Sequence, residues 1–211
     1  MAGYSAAGIV VPTGAMRERI IRLKCIFQDV GIEVALRVDL SSPSRMELLR
    51  VLRRFRNAYD VVAVNCLNQR VATVACRDSR VDVVFFDSRN RNVRFTHPLA
   101  NLLRGNLELN FISSLLGEAK GDVLSRLMKQ ASIANEHKLK VVLSSGSTSP
   151  EMVRSPSQIS ALAKAVGLSG TRSLDGVSAT PCSIIERNLF RRSPEFVEDG
   201  VRVVLPKASV R

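Results

Sequence analysis

Carboxylates beside predicted strands are the residues of this chain that could perform acid–base or metal chemistry. Four of them flank short apolar runs: Asp39, Asp82, Asp87 and Glu108. Two carboxylates that meet in a fold can share a proton or bind a metal ion. A carboxylate beside an arginine instead forms an ion pair, and Lys and Arg number 31 against 19 Asp and Glu. The sequence favours ion pairs and leaves a carboxylate pair open.

Other residue types with catalytic capacity are few. The chain has two histidines, forty residues apart, and it has no HExxH, GxSxG or HxH motif. Its four cysteines form no CxxC pair, so we interpret them as reduced thiols. The first three lie in apolar segments and are predicted core residues. The residues concerned are His97, His137, Cys25, Cys66, Cys76 and Cys182.

Two glycine-containing stretches are candidates for binding phosphate through backbone N–H groups. They are GYSAAG at residues 3–8 and SSGSTS at residues 144–149. Neither matches a dinucleotide-binding fingerprint or a Walker loop. The second precedes a predicted helix, which suits an anion site, but a tight turn between strand and helix is the favoured explanation.

Charge gives the clearest indication of a partner. The net charge is +12 and the isoelectric point is about 10.4, and a domain this basic commonly binds a polyanion, most often nucleic acid. A basic enzyme without such a partner remains the alternative. The apolar runs are far shorter than the ~20 residues that span a membrane. No secretory signal is recognisable in residues 1–16, so we expect a protein that stays inside the cell.

Arginines cluster at three places. One face of the predicted helix over 43–58 carries Leu48 and Leu52 toward the core, and the opposite face is basic. That face is either solvated or a row of phosphate contacts. The second place is a loop over 87–94, and the third is the segment just before Ser155; Arg80 lies apart from these, in the turn over 77–80. The predicted RNA contacts are Arg50, Arg53, Arg54, Arg80, Arg89, Arg91, Arg94 and Arg154.

Alternation of short apolar strands with helices predicts the fold. Six such units favour an α/β protein, an incomplete or distorted TIM-like (β/α) barrel in a single domain. We assign residues 1–192 to the barrel and residues 193–211 to a C-terminal extension with a strand over 197–205. Ser42 and Ser155 are the predicted N-caps of two helices, the latter in a capping box with Gln158. We expect an open barrel edge, covered by the C-terminal segment or by a partner.

Several segments in fixed order resemble the family of ribonuclease P protein component 3. They are RFRNAYDVVAV at 54–64, CRDSRVDVVFF at 76–86, ELNFISSLL at 108–116, VVLSSGSTSPEMVRSP at 141–156 and VSATPCSIIERN at 177–188. The likeness runs from about Gly8 to Arg192. Family members usually begin with a further strand and helix, and this chain starts at what resembles the second strand. That difference adds to the expectation of an open barrel.

The resemblance implies a role for the chain. The family's particle removes the 5′ leader of precursor tRNA, and its RNA subunit performs the cleavage with Mg²⁺. Component 2, a small α+β subunit, pairs with the family's barrel, and further protein subunits belong to the particle. By resemblance we expect these partners, no metal or cofactor on this chain, no catalytic residue in it, no membrane contact, and a cytoplasmic location (nuclear in a eukaryote).

Two rival functions stay open at this point. A stand-alone metal-dependent phosphoesterase-like barrel enzyme would depend on Asp39, Asp82 or Asp87, although the family's hydrolytic relatives use histidine clusters that this chain lacks. A basic module for protein partners would touch RNA only incidentally. Arg80, near Asp82 in its motif, is also open to a structural interpretation in which an ion pair positions the turn.

Overall fold

One parallel sheet organises the molecule. The computed structural model describes residues 3–15, 17–87, 90, 92–111, 120–198 and 201–203. Six parallel strands are hydrogen-bonded in chain order and curl into a half-barrel. They are β1 Ala6–Val10, β2 Glu33–Ser41, β3 Val61–Asn65, β4 Val83–Phe85, β5 Asn106–Asn110 and β6 Val141–Ser144. The predicted class, an incomplete α/β barrel, is confirmed.

Helices connect the strands, and those before the last one pack on the outer face or the edge of the sheet. The helices are α1 Arg17–Asp29, α2 Arg45–Phe55, α3 Gln69–Arg77, α4 His97–Leu102, α5 Lys120–Glu136, α6 Pro156–Ala165, α7 Gly170–Asp175 and α8 Ala179–Arg191. A 3₁₀ turn covers Pro150–Met152. No helix in the described part of the chain is long and apolar enough to cross a membrane.

The main core lies between the sheet and these helices. Alternate strand residues such as Val62, Val64 and Leu107 are fully buried against Leu48 and Leu52 of α2 and their neighbours. Apolar residues on both faces of β3 explain why the strand reads as a continuous apolar run. Burial of one stripe per helix also leaves the opposite helix faces in solvent.

Helix α8, rather than another strand, fills the inside of the half-barrel. Ile184 packs in a second apolar cluster with Val61, Ala63, Val83 and Val142 on the inner face of the sheet. At the open edge, the backbone N–H of Leu143 donates to the carbonyl of Gly176 at 2.9 Å, in the turn between α7 and α8. The C-terminal helices therefore take the place that further strands occupy in a closed barrel.

Several local predictions need correction. The N-cap of α2 is Ser44, whose hydroxyl accepts from the Glu47 N–H at 3.3 Å, whereas Ser42 is buried before the helix. The reason is that SSPS offers two serines, and the helix begins at Arg45, directly after the second. The capping box of Ser155 and Gln158 is confirmed at α6.

Within the described residues, the predicted strand over 197–205 is replaced by a hairpin of two short strands. Phe196–Glu198 (β7) pairs antiparallel with Val201–Arg202 (β8), so the segment satisfies its own hydrogen bonds and does not extend the barrel sheet. A ring contact of 5.7 Å between Phe190 and Phe196 joins the hairpin to α8.

The cysteine prediction holds in part. Cys66 and Cys76 are buried free thiols, and burial raises the pKa of Cys76 to about 12. Cys25 is exposed, which contradicts its predicted place in the core. Ile20 of α1 packs against the core, whereas Ile21 and Ile26 are exposed in the same way as Cys25.

Candidate nucleic-acid interface

Helix α2 presents its arginines to solvent. Leu48 and Leu52 anchor one face of the helix in the core, so Arg50, Arg53 and Arg54 lie exposed on the other faces. The Arg54 guanidinium lies 5.1 Å from the centre of the Phe55 ring. None of the three forms an ion pair with a residue that the structure describes. They are therefore available to phosphate groups, and their contact with RNA stays a prediction.

The loop after β4 is held by contacts that were not predicted from the sequence. The Asn90 side chain donates to the Leu67 carbonyl at 2.7 Å. Arg126 of α5 donates to the carbonyls of Asn90 and Val93 at 2.7 and 2.8 Å. Among the predicted RNA contacts, Arg94 is exposed, whereas Arg89 and Arg91 lie outside the described residues.

Arg154 is held by its own loop. Its Nη1 donates to the carbonyls of Glu151 and Val153 at 2.8 and 3.1 Å, and its own carbonyl accepts from the Tyr4 hydroxyl at 2.8 Å. The side chain lies just before α6, as predicted, but part of its donor capacity is already used. Its contact with phosphate stays a prediction.

Arg80 forms an ion pair within its turn, as the structural interpretation predicted, and its partner is Asp78. Its Nε and Nη2 donate to the Asp78 carboxylate at 2.8 and 2.6 Å, and Asp78 Oδ1 also accepts from the Arg80 N–H. These hydrogen bonds lower the pKa of Asp78. Asp82 lies two residues further along the chain, just before β4, and pairs with Arg56 and Arg187 instead.

Asp82 is the centre of a network at the N-terminal end of the half-barrel. The residue is 0% exposed and accepts from Arg56 at 2.6 Å, from Arg187 at 2.9 Å and from the Val62 N–H at 2.8 Å. Gly105 allows β5 to pass beside it, since a Cβ there would lie 2.7 Å from the Val81 carbonyl. A buried carboxylate with three donors is a satisfied structural group.

Asp60 extends the network across the same end. Its carboxylate accepts from the Leu36 N–H at 2.7 Å and from Arg192. Asn188 of α8 is 1% exposed and donates to the Asp60 carbonyl at 2.8 Å, while its oxygen accepts from Arg56. The network ties α2, β3, β4 and α8 together. Sequence reasoning missed its α8 members and Arg192, because they lie more than a hundred residues from their partners and no local spacing connects them.

A second ionic cluster lies inside the half-barrel. Arg37 forms a two-pronged pair with Glu108, at 3.0 and 2.6 Å, and its Nε donates to Asp39 at 2.6 Å. The guanidinium also lies 5.6 Å from the centre of the Phe85 ring. The structure thus brings Asp39 and Glu108 together, as the carboxylate-pair alternative required, but it places an arginine between them.

Burial and charge act against each other in this cluster. Burial alone would lower the pKa of Arg37, but Glu108 and Asp39 outweigh it, so the pKa lies above its ordinary value. Burial raises the pKa of Asp39, and the charge of Glu108 adds to that effect. Because one guanidinium serves two carboxylates, Asp39 gains too little from it to offset burial. The cluster is an internal ion pair with no vacant nucleophile or base.

The two phosphate-cradle candidates differ. GYSAAG continues into β1, and its second half, residues 6–8, belongs to the strand. The SSGSTS stretch forms the turn after β6, and Gly146, with φ +58°, packs so closely on Asn110 that a Cβ would lie 2.3 Å from the amide oxygen. Tight packing explains the glycine without a bound phosphate.

The described residues contain no group of three or more His, Cys, Asp and Glu side chains that could hold a metal ion. The two histidines do meet: His97 Nδ1 lies 3.0 Å from His137 Nε2, on the outside of the barrel between α4 and α5. His97 Nδ1 also lies 3.7 Å from Glu136.

Comparisons with known proteins identify the relatives of this fold. The family model described as RNase P subunit p30 matches residues 6–193. Ribonuclease P protein component 3 of Methanosarcina acetivorans is 27% identical over 179 residues, which is 82% of this chain and 74% of the relative. The protein of the same name from Methanothermobacter thermautotrophicus is 25% identical, covering 96% of this chain and 85% of its own length.

Two further likenesses extend the comparison. The protein GAMETOPHYTE DEFECTIVE 1 of Arabidopsis thaliana is 26% identical over 82% of this chain and 30% of its own length. A chain from a cryo-EM structure of archaeal ribonuclease P with mature tRNA has a TM-score of 0.84, with 98% of this chain and 91% of that chain covered. At 17% identity, this second likeness concerns the fold.

Proposed function

This chain belongs to the RNase P subunit p30 family, and on that premise we propose that it acts as a protein subunit of ribonuclease P. In this role it supports the RNA that removes the 5′ leader of precursor tRNA. The observation that carries the proposal is the family match over residues 6–193. A net charge of +12 and the unpaired arginines of α2 agree with it, since neutralising phosphates is what a protein scaffold for RNA must do.

The proposed division of labour leaves the chemistry to the RNA subunit and its Mg²⁺ ions. The buried carboxylates of this chain support that assignment, because each is engaged by an arginine: Glu108 by Arg37, and Asp82 by Arg56 and Arg187. A carboxylate held in this way is a poor general base, because its charge is already stabilised. The chain then contributes binding surface and no catalytic group or cofactor.

The proposed partners are the ribonuclease P RNA, precursor tRNA, component 2 and other protein subunits of the particle. The similar proteins come mostly from archaea, so a cytoplasmic location is part of the proposal. Because α8 already fills the interior of the half-barrel, partners would dock on outer surfaces and loops.

Precursor tRNA cleavage in Mg²⁺ tests the proposal. The cognate RNA subunit and partner proteins are assayed with and without this chain, and the chain alone is assayed beside them. We expect cleavage at moderate Mg²⁺ to require the chain, and the chain alone to cut nothing. Cleavage by the chain alone would make it an enzyme and direct attention to Asp39 and Asp87. Equal activity with and without the chain would also contradict the proposal.

A further inference from the structure

A cavity of about 380 Å³ opens at the N-terminal end of the half-barrel. Its walls come from four places that are distant in sequence: the turn before β3, the turn before β4, the end of α8, and β7. A volume of this size lies within the usual range of sites for small ligands. The cavity is on the opposite end of the strands from the loop over 87–94.

Guanidinium groups dominate the wall. Of the described residues that line the cavity, four are arginines and one, Glu198, is a carboxylate; the arginines are Arg56, Arg80, Arg191 and Arg192. Behind the wall, Asp82, Asp78 and Asp60 form ion pairs with Arg56, Arg80 and Arg192.

The ion pairs hold the arginines in place but do not use all of their N–H donors. Arg80 uses Nε and Nη2 on Asp78, and its Nη1 makes no hydrogen bond with a described residue. Asn188, nearly fully buried, fixes Arg56 from the side. Guanidinium groups held in place lose less freedom when they bind phosphate, and their planar donors match its oxygens.

An aromatic ring completes the wall. Phe196 lines the cavity and is half-buried. Its ring forms a T-shaped contact with the ring of Phe190, with 5.7 Å between the ring centres and 87° between the planes. Arginines next to an aromatic face are the combination with which proteins hold unpaired nucleotides, phosphate on one and base on the other.

We propose that this cavity binds one nucleotide of single-stranded RNA, with its phosphate on the arginines and its base against Phe196. The inference rests on the proposed function, since it assigns an RNA contact to a chain taken to bind RNA. An acidic peptide would satisfy the arginines equally, but it would gain little from the ring. The ring therefore decides between the two kinds of partner.

Two variants separate the elements of the site while sparing the fold. Arg80→Gln removes a partly exposed ion pair, and Phe196→Leu keeps an apolar contact with Phe190. Arg22→Gln, on the exposed side of α1, is the matched control. Each protein is titrated with a fluorescent single-stranded RNA oligonucleotide, with the same RNA as a duplex, and with the ribonuclease P RNA, at several salt concentrations. Thermal unfolding checks that each variant is folded.

Affinity for the single strand falls as salt rises, and we expect Arg80→Gln to make the slope of log affinity against log salt less steep by about 0.7. Phe196→Leu should weaken single-strand binding about tenfold and leave the slope and the duplex affinity unchanged. Arg22→Gln should bind as the wild type does. If both cavity variants bind the single strand like the wild type, the nucleotide site is refuted while the proposed function stands.

Two other outcomes are equally decisive. Failure of the wild type to bind even the ribonuclease P RNA would refute the proposed function itself. A polyglutamate peptide that binds the wild type, and loses affinity in both variants while RNA affinity does not change, would place a protein partner in the cavity and overturn the nucleotide site.

Discussion

Arg53 and Arg56 lie three residues apart in one basic segment, yet their surroundings are opposite. Arg53 is exposed on α2 without an ion-pair partner among the described residues. Arg56, just past the helix, has a side chain that is 15% exposed and pairs with the fully buried Asp82 at 2.6 Å. The difference shows that a run of arginines can serve two purposes, and that a carboxylate 26 residues away decides which.

The physical consequence is that the two sets respond to different changes. A buried carboxylate and its arginines lose their hydration when the chain folds, so each depends on the other for compensation. A solvated arginine keeps its hydration, and its removal changes long-range attraction to polyanions more than stability. Substitutions in the buried pairs of Asp82, at the N-terminal end of the half-barrel, should act on folding, and substitutions of the exposed arginines of α2 should act on RNA binding.

The largest effect is expected at Asp82. Asp82→Ala leaves Arg56 and Arg187 without their buried partner, which should lower the free energy of unfolding by about 3 to 5 kcal/mol. Urea unfolding measures the change. Asp78→Ala is the control, because its pair with Arg80 is partly exposed and such pairs contribute about 0 to 1 kcal/mol. Equal losses for the two variants would contradict the distinction between them.

A smaller effect is expected inside the half-barrel. Glu108→Gln should cost about 1 to 3 kcal/mol, because Arg37 keeps Asp39 as a partner while it loses a charged acceptor. The triple variant Arg37→Met, Asp39→Asn, Glu108→Leu should recover much of that loss, because it removes all three charges of the cluster and leaves no carboxylate unpaired. If the triple variant were less stable than Glu108→Gln, the cluster would be more than an internal ion pair.

The smallest stability effect concerns pH. The hydrogen bonds from Arg80 lower the pKa of Asp78 below its ordinary value of 3.8. A lowered folded-state pKa adds stability above pH 3.8, and that stability is lost as the pH falls through the folded value. The wild type should therefore exceed Arg80→Gln in stability above pH 3.8, and the gap should close below it. A gap that does not depend on pH would assign the effect to packing.

Local patterns were enough to predict much of the fold. β3 and β6 have the predicted bounds, and the capping box at Ser155 is present, because each depends on neighbours within a few residues. The place of α8 inside the barrel could not be predicted. Its apolar residues indicate a buried face, but not which surface covers it, and the hairpin of residues 196–202 has the same apolar alternation as a barrel strand.

The candidate site was predicted less completely. The segment resemblance led to the family, which the family match confirms. Arg50, Arg53 and Arg54 are exposed as the helical period indicated. Arg80 forms an ion pair within its turn, as the structural interpretation predicted, and its partner is Asp78. The arginines and asparagine that α8 brings to the network were missed, because interactions across more than a hundred residues leave no trace in local spacing. Whether any of the predicted arginines contacts RNA stays a prediction.

The most direct measurement is the salt dependence of affinity for the ribonuclease P RNA. It compares the wild type with the triple variant Arg50→Gln, Arg53→Gln, Arg54→Gln. If α2 neutralises phosphates, the slope of log affinity against log salt should become less steep by about 0.7 to 0.9 for each phosphate that the variant no longer neutralises. The free energy of unfolding should change by no more than about 0.5 kcal/mol. An unchanged slope in a folded triple variant would contradict the assignment of these arginines to RNA and leave α2 as a solvated outer face.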